Sequence, residues 1–214
     1  MAYSDEQKKI WLNNEAASST IHDPGDKLGT YYIADNPQYF EPQRQNTFVF
    51  YVEGLNKLVS KTLINNTYAR DNAEDVFRLS VSSASVPHFK VNTITLKRGN
   101  NSMKFAGTPE FNAGKVVLND YIGAGTKDVL IAWKNQAYDV QTEKVGLSTD
   151  YKVDGYLLEY TPDYQLVRTW IMRGCWISEI SEDDYNHDSP EMKTLNATLE
   201  YDKAFVDLSE FEAE

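Results

Sequence analysis

The densest set of side chains with chemical potential is Glu182-Asp183-Asp184-Tyr185-Asn186-His187-Asp188. Carboxylate oxygens beside one imidazole suit a hard divalent cation. The order departs from a calcium loop, because the glycine of the sharp turn is absent and no Glu closes the twelfth position. These residues therefore read as the solvated tip of a hairpin. Gly123-Ala124-Gly125-Thr126-Lys127 invites a phosphate-loop reading, since glycines before a helix start favour anions. That loop needs two glycines further apart and a Lys before the hydroxyl residue, whereas here the Lys follows Thr126. A helix start after a flexible turn accounts for the segment better.

The three histidines, His22, His88 and His187, stand in unrelated contexts, with no Ser or Cys in a strained nucleophile turn. The single Cys175 lies between Gly174 and Trp176 in an apolar run, which excludes an internal disulfide framework and reads as a small core residue. Trp170 and Trp176 suggest an aromatic platform for bases, but Arg168 and Arg173 alone do not supply the cationic surroundings it needs. The chain carries 21 Lys and Arg against 32 Asp and Glu, a formal charge of −11, and no basic stripe. Tight nucleic-acid binding is not expected of it. The residues thus point away from an enzyme and imply no cofactor and no metal. No apolar run approaches the ~20 residues of a membrane span, so no membrane insertion is expected and synthesis in a cytoplasm is.

The 214 residues suffice for one substantial core, and 13% aromatic content favours strands. Residues 1–45 are polar, broken by Pro24, Pro37 and Pro42, and read as an N-terminal arm whose Trp11, Tyr31, Tyr32, Tyr39 and Phe40 dock on something. Residues 46–208 read as a β domain, and 209–214 as an acidic tail. A first strand runs from Thr47 to Glu53, with Phe48, Phe50 and Val52 on one side. Residues 55–75 read as a long connection with room for a short helix around Asn56 to Leu63, and Val76 to Val86 as a strand stopped by Pro87. A hairpin over Val91–Arg98 and Met103–Ala106 turns at Gly99-Asn100-Asn101. Lys115–Asn119 is a strand. One amphipathic helix follows, N-capped by Thr126, with Val129, Leu130, Trp133 and Ala137 on its apolar face. A strand from Lys152 to Tyr160 precedes the terminal pair. Val167 to Ile180 is bulky on both sides and must be covered on both, while Leu195, Ala197, Leu199 and Tyr201 alternate with polar residues.

Asn46-Thr47-Phe48-Val49-Phe50, Ala84-Ser85-Val86-Pro87 with Val91-Asn92-Thr93-Ile94, the helix through Trp133, Gly174-Cys175-Trp176-Ile177-Ser178 and Asn196–Asp202 follow one another in an order that resembles the phage tail tube protein family and the related tubes of contractile injection systems. The likeness spans roughly Asn46 to Asp202. It implies a mainly β subunit, an antiparallel barrel or sandwich with one packed helix, that forms a ring through inter-subunit sheet pairing. It further implies a major tail tube subunit of a virion, with hexameric rings stacked into a hollow conduit for DNA delivery. Phe48, Phe50, Trp133, Trp170, Trp176 and Leu199 become candidates for packing or subunit interface, and Glu159, Glu200 and Asp202 for an acidic lumen that repels DNA phosphates. Implied partners are further copies of the chain, a tail sheath, a tape measure, and baseplate or terminator proteins, with DNA only in passage. Two other readings stand beside it: a tube subunit or baseplate tube initiator of a bacterial injection or secretion system, and a monomeric ligand-binding β domain using exposed tyrosines.

Overall fold

The computed structural model describes residues 42–62, 64–188 and 190–207. Residues 1–41 of the expected N-terminal arm, with the tyrosines proposed to bind a ligand, and the acidic tail lie outside these residues. The chain from Gln45 onward clusters as one unit and is described by itself. Its strands are β1 (Phe48–Glu53), β2 (Val81–Ala84), β3 (Phe89–Arg98), β4 (Asn101–Phe111), β5 (Gly114–Asn119), β6 (Tyr138–Asp139), β7 (Lys144–Val145), β8 (Val153–Tyr160), β9 (Leu166–Glu182), β10 (Thr194–Glu200) and β11 (Lys203–Asp207). The architecture is mainly antiparallel β. A seven-stranded sheet runs in the order β1-β8-β9-β10-β5-β2, with β11 also on β9, while β3–β4 and β6–β7 are separate two-stranded ribbons. The sheet path is open: among the described residues its ends, β1 and β2, do not pair, so the expected closure into a barrel is not what the strand order gives.

Helices cover one face of this sheet. The amphipathic helix expected from sequence is there as Thr126–Ala137, and the short helix allowed for around Asn56 to Leu63 as α1 (Leu55–Val59); α2 (Thr67–Asp71), α3 (Ala73–Ser80) and, after α4 (Thr126–Ala137), α5 (Ser148–Tyr151) join them. The long connection over 55–75 is thus largely helical. The strand expected over Val76 to Val86 is corrected too, since its first half is α3 and only Val81–Ala84 is extended. Ala73, Val76, Phe77 and Ser80 are its buried residues, a helical spacing, and Glu74 and Asp75 sit in its positively polarised first turn. Glu74 also binds α1: its carboxylate accepts from the backbone N–H of Gly54 (2.9 Å), and its own N–H donates to Asn56 Oδ1 (2.9 Å). Thr126 is not the cap of α4. Gly125 holds that position, and Thr126 is buried one residue later, its hydroxyl 2.9 Å from that of Ser80.

The core lies between the helices and the inward side of the sheet. Trp133, Leu130 and Val129 of α4 and Phe77 of α3 meet Phe50, Val52, Leu118, Leu195 and Ile177 there, and the Phe77 ring stands edge-on to Trp133 at 5.8 Å. Trp133 is fully buried, and its indole N–H donates to the Tyr151 carbonyl at 3.0 Å, which satisfies the one polar atom on the ring. Ala132, not anticipated on the apolar face, is buried, whereas Ala137 is only half-buried.

β9 is long enough to serve two ladders. Its first half pairs with β8 on one edge and β11 on the other; its second half pairs with β10. Gly174, at φ 69°, lies between the halves in the left-handed region, where a Cβ is costly and here would also collide with the Asp202 carboxylate. The register with β8 shifts at this point, so that Met172 and Cys175 both face inward although three residues apart. The two-sided character read from the sequence holds, since adjacent Ile171 and Met172 are both buried; Ile171 is flanked by its register partners Tyr156 and Phe205. The expected closing strand through Asp202 is in fact β10, a break at Tyr201-Asp202, and β11, which the sequence reading did not separate.

Removing the Trp133 ring from full burial leaves a cavity into which the surroundings relax only in part. Trp133→Ala is expected to cost about 3–5 kcal/mol. Gly174→Ala is expected to cost at least about 1–2 kcal/mol through the left-handed backbone alone. Denaturant unfolding of the two variants checks both values.

Candidate assembly surface

Between β2 and β5, which pair with each other, the chain leaves the sheet and returns as the β3–β4 ribbon. Its root is fixed on the end of β10. The His88 N–H donates to the Tyr201 hydroxyl (3.3 Å), the Phe111 ring meets Tyr201 edge-on, and Pro87 is buried. Beyond the root, β3 is exposed along its whole length, and β4 nearly so. Ile94 registers with Phe105, and Leu96 with Met103, so four large apolar side chains share one side, exposed by 58, 50, 53 and 52% respectively. Thr93, Thr95, Lys97, Ser102, Lys104 and Ala106 fall on the other side. An isolated two-stranded ribbon is marginal in water, and an amphipathic one leaves an apolar stripe to be covered. The sequence reading found the hairpin but not its reach, because alternation predicts a half-buried strand and cannot say whether its own domain supplies the cover. A second, smaller ribbon, β6–β7, exposes the cross-strand pair Tyr138 and Val145.

The acidic segment is the turn between β9 and β10. Glu182 is shared by Lys127 of α4 (2.6 Å) and Lys193 (2.7 Å). Asp183 accepts from both the N–H and the hydroxyl of Thr194. The hydrogen bonds from Lys127 and then Lys193 hold the Glu182 carboxyl below its usual range, and those from Thr194 do the same for Asp183. Both residues work on their own turn. Among the described residues no group of three or more His, Cys, Asp and Glu is arranged to hold a metal ion.

The sequence candidates separate by environment. Phe50, Trp133 and Leu199 are core; Phe48 and Trp170 pack on its rim; half-buried Trp176 alternates away from Cys175 and Ile177 and meets the Tyr151 ring edge-on at 5.8 Å. The three acidic candidates do not share a face. Glu159 lies on the side of Phe48 and Leu157, accepting from Trp170 Nε1 (2.8 Å) and pairing with Arg168 (3.3 Å). Glu200 alternates away from buried Leu199, opposite Trp176. Asp202 is clamped by Lys152 at 2.6 and 2.7 Å. Burial pushes the Cys175 thiol up to about 12, which fits an inert core residue. A groove beside α4, lined in part by Thr62, Ile64, Asp128 and Ile131, measures about 200 Å³, below the size of ordinary small-molecule sites.

No family model and no curated protein sequence matches the chain. Solved structures do. A chain of the sheath–tube complex of the PVC extracellular contractile injection system, in the extended state, superposes with a TM-score of 0.56 at 16% identity, over 84% of this chain and 98% of that one. The tube-terminating cap of the anti-feeding prophage gives 0.55 at 16%, over 78% and 91%. The PVC sheath/tube terminator gives 0.55 at 17%, over 78% and 96%. The likeness read from the sequence therefore holds at the level of the fold, which this chain shares with components of contractile injection particles.

The acidic turn has a pH signature. A carboxyl held low in the folded state contributes stability above its unfolded value and loses that contribution as pH falls through its folded value. Glu182→Gln and Asp183→Asn are expected to lower the thermal midpoint at neutral pH and to converge with the parent as pH drops through the carboxylate range. A gap that stays constant on acidification would contradict this account.

Proposed function

We propose that this protein is a structural tube subunit of a contractile injection particle, one that associates with copies of itself into rings and stacks them into a hollow tube. The carrying observation is the β3–β4 ribbon: an apolar stripe that its own subunit leaves uncovered, on a fold shared with injection-particle components. The sheet supports the same reading, since its edge strands β1 and β2 present backbone groups that a neighbour's strand satisfies in a ring. A six-fold ring is the expected closure; the anti-feeding prophage baseplate, at TM-score 0.50 and 10% identity, is a 6-fold symmetrised assembly.

Sheath and baseplate components are the partners that follow from this reading. The similar structures favour an injection particle over the phage DNA conduit expected first from the sequence, because they come from an extracellular injection system and an anti-feeding prophage. DNA passage and a virion location remain the narrower version of the same proposal. A second reading has support of its own: two of the similar structures are a tube-terminating cap and a sheath/tube terminator, so a ring that closes a tube end also fits the fold.

Electron microscopy and sedimentation of the purified full chain across concentration test the proposal. Tubes support the main subunit, and single unstacked rings support the terminator. A monodisperse monomer throughout overturns both. Replacing Ile94, Leu96, Met103 and Phe105 together by Thr is expected to abolish assembly while the unfolding midpoint of the body stays within a few degrees, since these side chains lie outside the core.

A further inference from the structure

The ribbon differs in charge from the chain that carries it. β3 and β4 hold Lys90, Lys97, Arg98 and Lys104 against a single carboxylate, Glu110, in a chain of net −11. None of these four cations joins an ion pair among the described residues, whereas Lys61, Lys127, Lys152, Arg168, Arg173 and Lys193 all do. Lys97, Arg98 and Lys104 gather at the tip, where Arg98 registers with Asn101 and Thr95 with Lys104.

The complementary charge lies at the other end of β10. The ribbon is rooted on Tyr201, just past the C-terminal end of that strand, and the acidic turn enters it at Thr194. Seven extended residues set the two roughly 20 Å apart along the strand. In the turn Glu182 and Asp183 are occupied by Lys127, Lys193 and Thr194, which fix the loop. Asp184, Asp188 and Glu191 are exposed and make no ion pair among the described residues. Three unpaired cations at the tip of a ribbon rooted at one end of β10 thus match three unpaired carboxylates in the turn at the other end.

We infer that the β3–β4 tip docks on the β9–β10 turn of a second copy, Lys97, Arg98 and Lys104 against Asp184, Asp188 and Glu191. The inference rests on the self-assembly proposed above and gives it a direction. A contact between unlike poles is head to tail, and where the rotation does not close it repeats along an axis. Opposed charges then set register and exclude head-to-head encounters, while the apolar stripe beside them contributes the buried area.

Two triple variants of the full chain test this, Lys97→Glu/Arg98→Glu/Lys104→Glu and Asp184→Lys/Asp188→Lys/Glu191→Lys, followed by sedimentation velocity at low and high salt. Each alone sets like charge against like. Each is expected to raise the concentration needed for assembly by roughly tenfold or more at low salt, with its unfolding midpoint unchanged. Mixed in equal amounts, the two variants present opposite charges at every junction and should co-assemble. Parent-like assembly by either variant alone, or failure of the mixture, overturns the pairing while leaving self-assembly in place. A parent chain that never assembles removes the self-assembly reading and this inference with it. Binding of a short DNA duplex that the tip variant loses, with assembly retained, would assign the tip to phosphate instead.

Discussion

One strand has to serve two ladders, and the rest of the fold is arranged around that demand. β9 holds β8 and β11 along its first half and β10 along its second, so both halves of the sheet depend on its staying continuous while its register changes. A strand that simply continued its alternation would turn Cys175 and Ile177 outward after Met172 and break the core. Gly174 absorbs one residue in a left-handed conformation and restores the inward side. Asp202 and Asp154 close around the bend: Lys152 clamps Asp202, and Arg173 pairs with Asp154, which also accepts from the Gly174 N–H. The break between β10 and β11 at Tyr201-Asp202 is the other half of the same device, since the partner strand must interrupt where β9 bends.

This explains what was legible in the sequence. Period-two alternation around Leu195, Ala197 and Leu199 reports a half-buried strand directly, and the two-sided bulk at Ile171 and Met172 reports β9's place in the middle of the sheet. The face of α4 through Val129, Leu130 and Trp133 was equally plain. The helices before it were less so, because each is short, and only α1 matches a helix the sequence left room for, around Asn56 to Leu63. α1 and α2 have five residues apiece, too few for a periodic stripe to stand out, and they hold their shape through tertiary bonds such as Glu74 to Gly54. α3 did carry a signal, Asn72 before Glu74-Asp75 and then apolar residues at helical spacing, but the serines that follow Leu79 drew the reading toward an extended strand.

The candidate site was legible in kind and not in place. Aromatic and aliphatic residues at strand period mark surfaces that require cover, yet they do not say whether the cover is the same chain. Phe50 and Leu199 are covered from within, and Ile94 and Phe105, of like composition and pattern, are not. The difference is topological: the first two lie on strands of the main sheet under the helices, the second two on a ribbon inserted between strands that already pair with each other. The acidic candidates stand in different environments. Glu159 falls on the side of Leu157 by the alternation of β8 and Glu200 falls away from Leu199 by that of β10, so each strand's own period separates them; what the period leaves out is how the strands sit side by side.

A chain with an uncovered apolar ribbon is poorly made as a monomer, and the proposed assembly would supply the cover. The exposed stripe is a liability to a free chain, since apolar strands without cover invite indiscriminate pairing. In that assembly four cations on the ribbon that join no ion pair among the described residues would keep its approach selective within a population of strongly acidic molecules, attracting a carboxylate-rich surface and repelling one another's ribbons. The turn between β9 and β10 is a carboxylate-rich surface of this kind, and its inner carboxylates are already neutralised, which leaves the loop shaped and its outer charges free. Shape from Glu182 and Asp183 and charge from Asp184, Asp188 and Glu191 are thus divided between neighbouring residues. In the proposed assembly that division would let an acidic turn, in which no metal-ligand group is arranged among the described residues, act as an ordered receptor, with a seven-residue strand as the spacer between root and receptor.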